Sequence, residues 1–397
     1  MMLLKMSLLT SSLSVAFSFT SSAGKRSLFS CRVLQSNTSV STAFNYRAAT
    51  TRLFSSSQQA ALPLSGISRV DTLKRLLVSW GAPGSKGCQE ANDLVPYDSD
   101  EYLLDLHPLL IPIAKSESSG NYICALKTAS AAEDSPLPIV ESGIGLPGYK
   151  LLALNSEHLM RRIACEADFA GDAKDVVSTY NDGLGSGELS DKGLDSPYEP
   201  GSVEKLGYGV QKYVLLRVGP FPDLYEEMSA QHIARGDESS ALIAAESANG
   251  KFTGFGSLFA HYAELLSSFP NREEEARDAA RICLRVPLSS SGLTMDDFAS
   301  ISLSAGLCEE GDSTEEAIAK MQVMYEKIRE HEKQEEGTPN QASGKTPEQS
   351  ALDEATYLLD RTAMAGANWA TIRSELADIY EEAEKVDMAK FVDPSRN

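Results

Sequence analysis

The chain has 397 residues, of which 42% are hydrophobic, and it carries 56 acidic against 36 basic side chains. This hydrophobic content is sufficient for a folded core, and the formal charge of −20 argues against nucleic-acid binding, which needs surface stripes of lysine and arginine. The charge is unevenly distributed. No acidic residue precedes Asp71, and the segment before it contains seven basic residues among many serines and threonines. The remaining chain has 29 basic and 56 acidic residues, a net charge of −27.

The acid-free start predicts a bipartite targeting leader over residues 1–60 that is removed from the mature protein. Met1 to Phe19 is similar to a weak secretory signal, and Ser18 to Ala61 is basic and rich in serine, as plastid transit peptides are. The junction Val15-Ala16-Phe17 resembles the cleavage site of algae with secondary plastids, which predicts the chloroplast stroma of such an alga. A mitochondrial presequence is the alternative, and Arg52-Leu53-Phe54-Ser55 suits it. No later apolar run is long enough to cross a membrane, so no span is predicted in the mature chain.

Residues 70–180 are predicted to form a small α+β region. An amphipathic helix is expected over Val70 to Trp80, capped by Asp71, and a longer helix over Glu157 to Tyr180. Runs with strand character lie between them, at Tyr122 to Leu126, Leu137 to Val140 and Tyr149 to Leu154. Residues 181–209 combine seven glycines, two prolines and six acids, which predicts an acidic linker.

Residues 219–392 are predicted to form an array of antiparallel helical hairpins. Apolar side chains recur at helical spacing, and helix start signals recur with them, at Asp223 with Glu226, Asp237, Asn271 with Glu274, Ser313 with Glu316, and Thr346 with Pro347. Gly337 to Lys345 is expected to be a polar loop. The hairpins resemble tetratricopeptide repeats in their length of about 33 residues, although none has the full repeat pattern. The predicted fold is therefore mainly α: a degenerate TPR-like array with a smaller N-terminal α+β region.

Two glycine-rich segments have the composition of nucleotide-binding loops. Gly143-Ile144-Gly145-Leu146-Pro147-Gly148 matches the Gly-x-Gly-x-x-Gly pattern of dinucleotide sites. A strand-like run follows it where such a site needs a helix, which favours a hairpin turn, with dinucleotide binding as the alternative. Gly81 to Gly87 has phosphate-loop composition but neither the spacing nor a preceding strand.

The sequence contains no recognisable catalytic or metal-binding pattern. Its cysteines are at least 25 residues apart, without the close pairs of zinc or redox motifs, so those after the leader are expected to be reduced and buried. Its five histidines are mutually distant. Adjacent carboxylates such as Glu273-Glu274-Glu275 diverge on a helix and are expected to be solvated. We therefore predict a protein that is not an enzyme, with no catalytic residues, no metal and no cofactor.

Several C-terminal segments resemble a known family. They are, in chain order, Gly219 to Leu224, His232 to Leu242, Phe252 to Gly256, Glu275 to Arg281 and Ala351 to Ala355. In this order they are similar to a land-plant chloroplast family required for ATP synthase biogenesis, the "protein in chloroplast ATPase biogenesis" type. The resemblance covers about Gly219 to Val392.

The resemblance implies a non-catalytic assembly factor that acts on the F1 head of the chloroplast ATP synthase through a protein partner, with the γ subunit favoured. From the matching segments we select the residues expected to contact the partner: Phe221, Asp223, Arg235, Asp237, Phe252, Phe255, Arg277 and Arg281. The alternative for Phe252 and Phe255 is that both fill the core between hairpins. Two other functions stay open: a helical adaptor for another plastid complex such as a photosystem, and a nucleotide-dependent enzyme that uses the Gly143–Gly148 turn.

Overall fold

A computed structural model of the protein describes residues 66–99, 102–132, 135–171, 174–184, 194–336 and 345–396. The predicted leader lies outside the described residues, and so does almost all of the predicted loop Gly337 to Lys345. Fourteen α-helices and one five-stranded sheet are found in the described ranges. The predicted fold class, mainly helical with a small α+β region on the N-terminal side, is therefore confirmed. None of the helices described is both long and apolar enough to span a bilayer.

The sheet is an antiparallel meander in which each strand pairs with the next one along the chain. It follows helix α1 (Val70–Trp80), whose predicted bounds are confirmed, and its strands are β1 (Leu94–Pro96), β2 (Leu110–Ser116), β3 (Tyr122–Leu126), β4 (Ile139–Ser142) and β5 (Lys150–Ala153). Sequence reasoning missed β2 because it contains Pro112, which has no N–H to give to a ladder. The pairing of β2 with β3 shifts register between Pro112 and Ala114, and this irregularity accommodates the proline.

The helix predicted over Glu157 to Tyr180 is in fact two helices, α2 (Ser156–Ala170) and α3 (Lys174–Asp182). Helix α2 ends because Gly171 adopts a left-handed conformation, with φ of 78°, and its N–H bonds back to the carbonyl of Asp168. The single-helix prediction was therefore wrong.

The described part of the predicted linker packs against α2. It contains α4 (Ser202–Leu206), and α5 (Val210–Arg217) follows directly. Tyr198 is fully buried, and its hydroxyl donates a hydrogen bond to the Asp168 carboxylate at 2.6 Å. A buried tyrosine with a satisfied hydroxyl fixes this segment on the α+β region.

The C-terminal half consists of helices that pack in consecutive pairs, α6 with α7, α8 with α9 and α10 with α11. Their bounds are α6 (Pro222–Ala234), α7 (Glu238–Lys251), α8 (Gly256–Ser267), α9 (Glu273–Cys283), α10 (Met295–Ser304), α11 (Thr314–Glu336), α12 (Pro347–Met364), α13 (Arg373–Glu382) and α14 (Val386–Val392). A 3₁₀ turn at Leu288–Ser291 separates α9 from α10.

Some predicted helix caps are confirmed and others are wrong. Asp237 accepts a hydrogen bond from the Ser240 N–H at 3.1 Å, Thr346 accepts one from Gln349, and Ser313 and Glu316 form a reciprocal capping box. Helices α1, α6 and α9 instead begin at residues that provide no side-chain cap, namely Arg69, Phe221 and Arg272. The caps predicted at Asp71, Asp223 and Asn271 were therefore wrong.

The buried side chains form two hydrophobic clusters. The smaller lies among helices α7 to α11 and includes Met364 of α12. The larger contains the sheet, residues of α1 to α8 and the last helices α12 to α14. Trp369 joins the chain end to the sheet, because its ring stacks edge-on against His107 at 4.5 Å and its Nε1 donates to the Leu146 carbonyl at 3.0 Å. The larger cluster thus holds residues of both the predicted 70–180 region and the predicted 219–392 array, and the predicted domain boundaries stay proposals.

Arg373 makes a second connection of this kind. Its guanidinium is buried and donates hydrogen bonds to the main-chain carbonyls of Leu103, Leu104 and Leu106, as well as Val392. Burial lowers the pKa of Arg373 to about 10. A buried guanidinium needs hydrogen-bond acceptors for its N–H groups, and Arg373 finds them in two places, the segment before β2 and the end of α14. Arg373 therefore links these two parts of the chain.

Candidate functional site

The aromatic residues selected from the sequence lie mostly inside the protein. Phe221 is 0% exposed, and Phe252 is 1% exposed with its ring edge-on to Tyr225 at a centroid distance of 6.3 Å. Phe255 is half-buried at the start of α8 and packs against the larger cluster. Phe221 and Phe252 are therefore core residues in this structure and do not form an exposed contact surface.

Asp223 is held by a long-range ion pair with Arg162 of α2. The guanidinium donates to both Asp223 oxygens, at 2.7 and 2.5 Å, and to Glu166 at 2.7 Å, and it lies 4.7 Å from the centre of the Phe221 ring. Burial alone would lower the pKa of Arg162, but the hydrogen bonds and charges of the two carboxylates outweigh it and raise that pKa. Asp223 therefore fastens α6 to α2.

Arg235 and Asp237 lie in the exposed turn between α6 and α7. The Asp237 carboxylate caps α7, and its hydrogen bond from Ser240 lowers its pKa below the ordinary value. His232 Nδ1 lies 3.6 Å from the same carboxylate. Both side chains are therefore available to a partner without any rearrangement.

Arg277 and Arg281 lie one helical turn apart on α9. Arg277 pairs with Glu274 at 2.7 Å, and Arg281 donates from Nε to the Ala305 carbonyl at 3.2 Å. Both side chains therefore lie on the side of α9 that faces the end of α10. The selected residues are thus divided between the core, the α6–α7 turn and α9, and the structure does not gather all eight on one surface.

A groove of about 930 Å³ opens between α9, α11 and α12, in the described part of the chain. Half of its lining residues are apolar or aromatic, and the other half are polar or charged. The lining consists of Arg281, Leu284, Arg285, Pro287, Leu307, Met324, Tyr325, Ile328, Arg329, Lys345, Asp353, Thr356, Tyr357 and Asp360. Arg281 alone of these was selected from the sequence. The signal that could have found the groove is the spacing of Arg277, Arg281 and Arg285 at intervals of four residues.

Two cations of the groove are neutralised by carboxylates of α12. Arg329 is 8% exposed and donates from Nε to the Glu354 carboxylate at 3.0 Å. Lys345 Nζ lies 2.7 Å from the Asp353 carboxylate. The first pair joins α11 to α12, and the second joins the segment just before α12 to that helix. Both pairs therefore stabilise local packing, and little net charge remains at these positions.

The cations at the rim are differently placed. Arg281 has a half-exposed side chain, and its nearest carboxylate, the largely exposed Asp278, is 3.4 Å away. Arg285 is exposed and pairs with no carboxylate of the described ranges. The rim of the groove is therefore positive in a chain whose residues from Asp71 onward carry a net charge of −27.

Asp360 lines the groove from α12 and is buried. Burial raises its pKa to about 7, against the opposing effect of hydrogen bonds from the N–H groups of Leu288 and Ser289. The Leu288 N–H is 2.8 Å from the carboxylate. Asp360 thus holds the 3₁₀ turn Leu288–Ser291. The Ser289 carbonyl of this turn also accepts a hydrogen bond from the N–H of Tyr149, the residue before β5.

The Gly143–Gly148 segment is a hairpin turn, which confirms the favoured interpretation. It connects β4 to the antiparallel β5, so a strand follows the glycines directly and the next helix begins only after that strand. Gly145 has a left-handed φ of 69°, and a side chain at Gly148 would meet the Ser289 carbonyl oxygen at 2.1 Å. The glycines therefore serve the turn and its contact with the 3₁₀ turn, and the geometry of a dinucleotide site is absent from this hairpin.

The Gly81–Gly87 loop does not present its amides to a phosphate either. The N–H groups of Lys86 and Gly87 each donate to the Glu141 carboxylate at 2.9 Å, and Asn121 donates to the same group at 2.8 Å. A buried carboxylate already occupies the position that an anion would need.

The cysteines that the structure describes are free thiols, four of them buried and Cys308 half-buried. Burial raises the pKa of Cys88, Cys165 and Cys283 to about 12, so these thiols are not activated. Among the described residues, no three histidine, cysteine or carboxylate side chains are arranged to hold a metal ion.

Comparisons with known proteins give the same order of segments. Domain models described as PAB N-terminal, PAB middle domain and PAB C-terminal domain match residues 100–210, 222–307 and 321–395. The chain is 34% identical over 290 residues to the Arabidopsis thaliana protein named "Protein IN CHLOROPLAST ATPASE BIOGENESIS, chloroplastic", covering 72% of this chain and 78% of that one. This chain belongs to the PAB family. No solved structure matches it.

Membership of the PAB family confirms the resemblance drawn from the C-terminal segments and extends it. The PAB N-terminal match places residues 100–210 in the family, although sequence reasoning found no similarity before Gly219. The PAB middle domain covers α6 to α10, and the PAB C-terminal domain covers α12 to α14 and most of α11. The groove therefore lies where the middle and C-terminal domains of the PAB family meet.

Proposed function

We propose that this protein is a non-catalytic plastid assembly factor that promotes biogenesis of the ATP synthase F1 head by binding an unassembled subunit, with γ favoured. The observation that carries the proposal is the 34% identity to a plant protein whose name refers to chloroplast ATPase biogenesis, over 78% of that protein. Such a chaperone-like factor needs a protein-binding surface and no reaction centre.

The acid-free leader over residues 1–60 supports a plastid location, in keeping with the printed chloroplastic name of the relative. Its two-part composition supports an alga with a secondary plastid, in which import begins at an outer, secretory-type membrane. A mitochondrial location would separate the protein from a chloroplast enzyme and would contradict the proposal.

The charge of residues 71–397 supports a basic partner. A net charge of −27 attracts basic surfaces, raises the rate of encounter and disfavours binding to acidic proteins at most places on the surface. An unassembled subunit exposes the surfaces that it will later bury in the complex, and an acidic binding protein keeps a basic surface of this kind from aggregating. The attraction weakens as salt rises, because exposed charges are screened beyond about 10 Å at 0.1 M.

The contact residues of the proposal are those that the structure leaves accessible. Arg235, Asp237, Arg277 and Arg281 are exposed or half-exposed, and Phe255 is half-buried. Phe221, Phe252 and Asp223 support them from the core by fixing α6 and α7.

The proposal is tested by expressing a tagged full-length chain in its own organism and crosslinking it in isolated plastids. We expect F1 subunits, γ above all, to be recovered with the tag and without the assembled enzyme. Exclusive recovery of another complex, such as a photosystem, would replace the proposal with the helical-adaptor alternative. Absence of the tag from plastids would contradict it.

A further inference from the structure

We propose that the groove between α9, α11 and α12 binds a helical segment of the partner protein that carries acidic side chains beside an apolar face. The inference rests on the proposed function only in expecting that this segment belongs to an unassembled ATP synthase subunit. The family comparison assigns no ligand to this groove, and of its lining residues only Arg281 was selected from the sequence as a partner contact.

The size and lining of the groove suit a short helix. About 930 Å³ is roughly the volume of two turns of a helix taken as a cylinder of about 10 Å diameter. Ile328 is 49% exposed at the groove, and Leu307 and Tyr357 are half-buried there. Grooves between helices bind the apolar face of an incoming helix in this way, because burying such side chains removes apolar surface from water.

The charge of the rim specifies acidic residues on that segment. Arg281 and Arg285 are four residues apart at the end of α9, and neither has a close, buried carboxylate partner among the described residues. Arg285 lies in the turn directly after α9. Carboxylates three or four positions apart on an incoming helix lie about 5–6 Å from each other at Cβ, so one face of that helix can offer a carboxylate to each arginine. Arginine also binds carboxylates through two parallel hydrogen bonds, so the pairing favours one register of the helix.

The negative charge of the rest of the chain disfavours binding of an acidic segment anywhere other than at the groove. With a net charge of −27 over residues 71–397, most of the surface repels an acidic segment. A segment of this composition therefore gains attraction at the Arg281–Arg285 rim and loses it elsewhere. A basic partner that contains one acidic helix would be bound by the acidic surface in general and oriented by the groove in particular.

The proposal is tested on the full chain in isolated plastids, with a photocrosslinking amino acid, p-benzoylphenylalanine, in place of Ile328. The crosslinked segment is then identified by mass spectrometry. We expect a partner segment with at least two carboxylates beside apolar residues. A captured segment without carboxylates, a crosslink only within this chain, or no crosslink while a partner still co-purifies would each overturn the proposal.

A charge-reversed pair of variants provides the matched comparison. Arg281→Glu with Arg285→Glu is expected to weaken partner recovery about tenfold, since two rim attractions become repulsions. Lys212→Glu with Lys251→Glu makes the same change in net charge at exposed positions outside the groove lining and is expected to leave recovery within about twofold. Thermal unfolding of both proteins checks that they fold, which the exposure of these side chains predicts.

The two proposals fail separately. If F1 subunits co-purify equally with the wild type and with Arg281→Glu, Arg285→Glu, the groove inference is wrong and the assembly function stands. If the groove captures an acidic helix of a protein outside the ATP synthase, the assembly function is wrong and the chemistry of the groove stands.

Discussion

Replacing Asp223 with asparagine tests whether this residue holds the fold together or contacts a partner. In the structure its carboxylate is one of two that neutralise Arg162, whose side chain is 4% exposed. The substitution removes one charge, keeps the side-chain shape and leaves the guanidinium with Glu166 alone. We expect a less stable protein that still binds its partner when folded.

The size of the loss follows from the geometry. Removing one partner of a fully buried ion pair costs about 3–5 kcal/mol in the free energy of unfolding. Asp223 is 22% exposed and Glu166 stays 2.7 Å from the guanidinium, so we expect a smaller loss, of about 2 kcal/mol, than for a fully buried pair. Glu227→Gln, on the exposed face of the same helix, is expected to change stability by less than about 0.5 kcal/mol.

Urea denaturation of the purified variants, followed by circular dichroism, measures these differences. The double variant Arg162→Met, Asp223→Asn is expected to lose less than the sum of the single losses, by about 1–2 kcal/mol, because each single variant removes the same Arg162–Asp223 interaction. An Asp223→Asn protein as stable as the wild type would refute the reasoning. A stably folded variant that no longer binds its partner would instead assign Asp223 to the contact surface.

Three further predictions test other parts of the structure by the same denaturation assay. Phe252→Ala removes a buried ring and is expected to cost about 3–5 kcal/mol, and a loss below about 1 kcal/mol would place that ring outside the core. Asp360→Asn tests a pH dependence. In the folded protein the Asp360 carboxyl stays protonated up to about pH 7, whereas in the unfolded chain it has its ordinary pKa of 3.8. Wild-type stability therefore falls as the pH rises between these two values. Between pH 5 and 8 the unfolding free energy of the wild type should fall by about 3 kcal/mol more than that of the asparagine variant. Equal pH profiles of the two proteins would contradict the burial of the carboxyl. Gly148→Ala should destabilise the protein far more than Gly145→Ala. A Cβ at position 148 would lie 2.1 Å from the Ser289 carbonyl oxygen, whereas a Cβ at position 145 has open space and costs about 1 kcal/mol for the positive φ. The reverse order of stabilities would contradict the packing of the hairpin.

The elements predicted correctly are those whose signals are local. The apolar spacing in Val70–Trp80 predicted α1, and the Thr346 cap followed by Pro347 predicted the start of α12, because both signals lie within one or two turns of the element they specify. The β4–β5 hairpin could be preferred over a dinucleotide site for the same reason, since the strand directly follows the glycines.

The errors arise where a distant residue decides the outcome. Asp223 has the sequence position of a helix cap, but Arg162, 61 residues earlier, takes both of its oxygens. For Phe252 the sequence left both an exposed contact and a core position open, and the structure has the core position, because Tyr225 and the surrounding residues enclose the ring. Neither partner can be found from spacing, because the packing of α6 on α2 and α7 is not encoded within any single segment.

The groove shows the same limit. Its three walls come from α9, α11 and α12, so a basic spacing on α9 could indicate a charged face but not the apolar residues that lie opposite. Trp369 and Arg373, which tie the last helices to the sheet, also had no signal in the sequence, since their partners lie more than 200 residues earlier.

The most direct test of an assembly function is a pulse–chase measurement of F1 formation in cells with and without the protein. If the protein assists assembly through γ, newly made γ should first be recovered with it and then pass into F1 during the chase. Cells that lack the protein should make the F1 subunits at normal rates but accumulate little assembled F1. Normal accumulation of F1 without the protein, or γ that enters F1 without ever binding it, would contradict the proposed function.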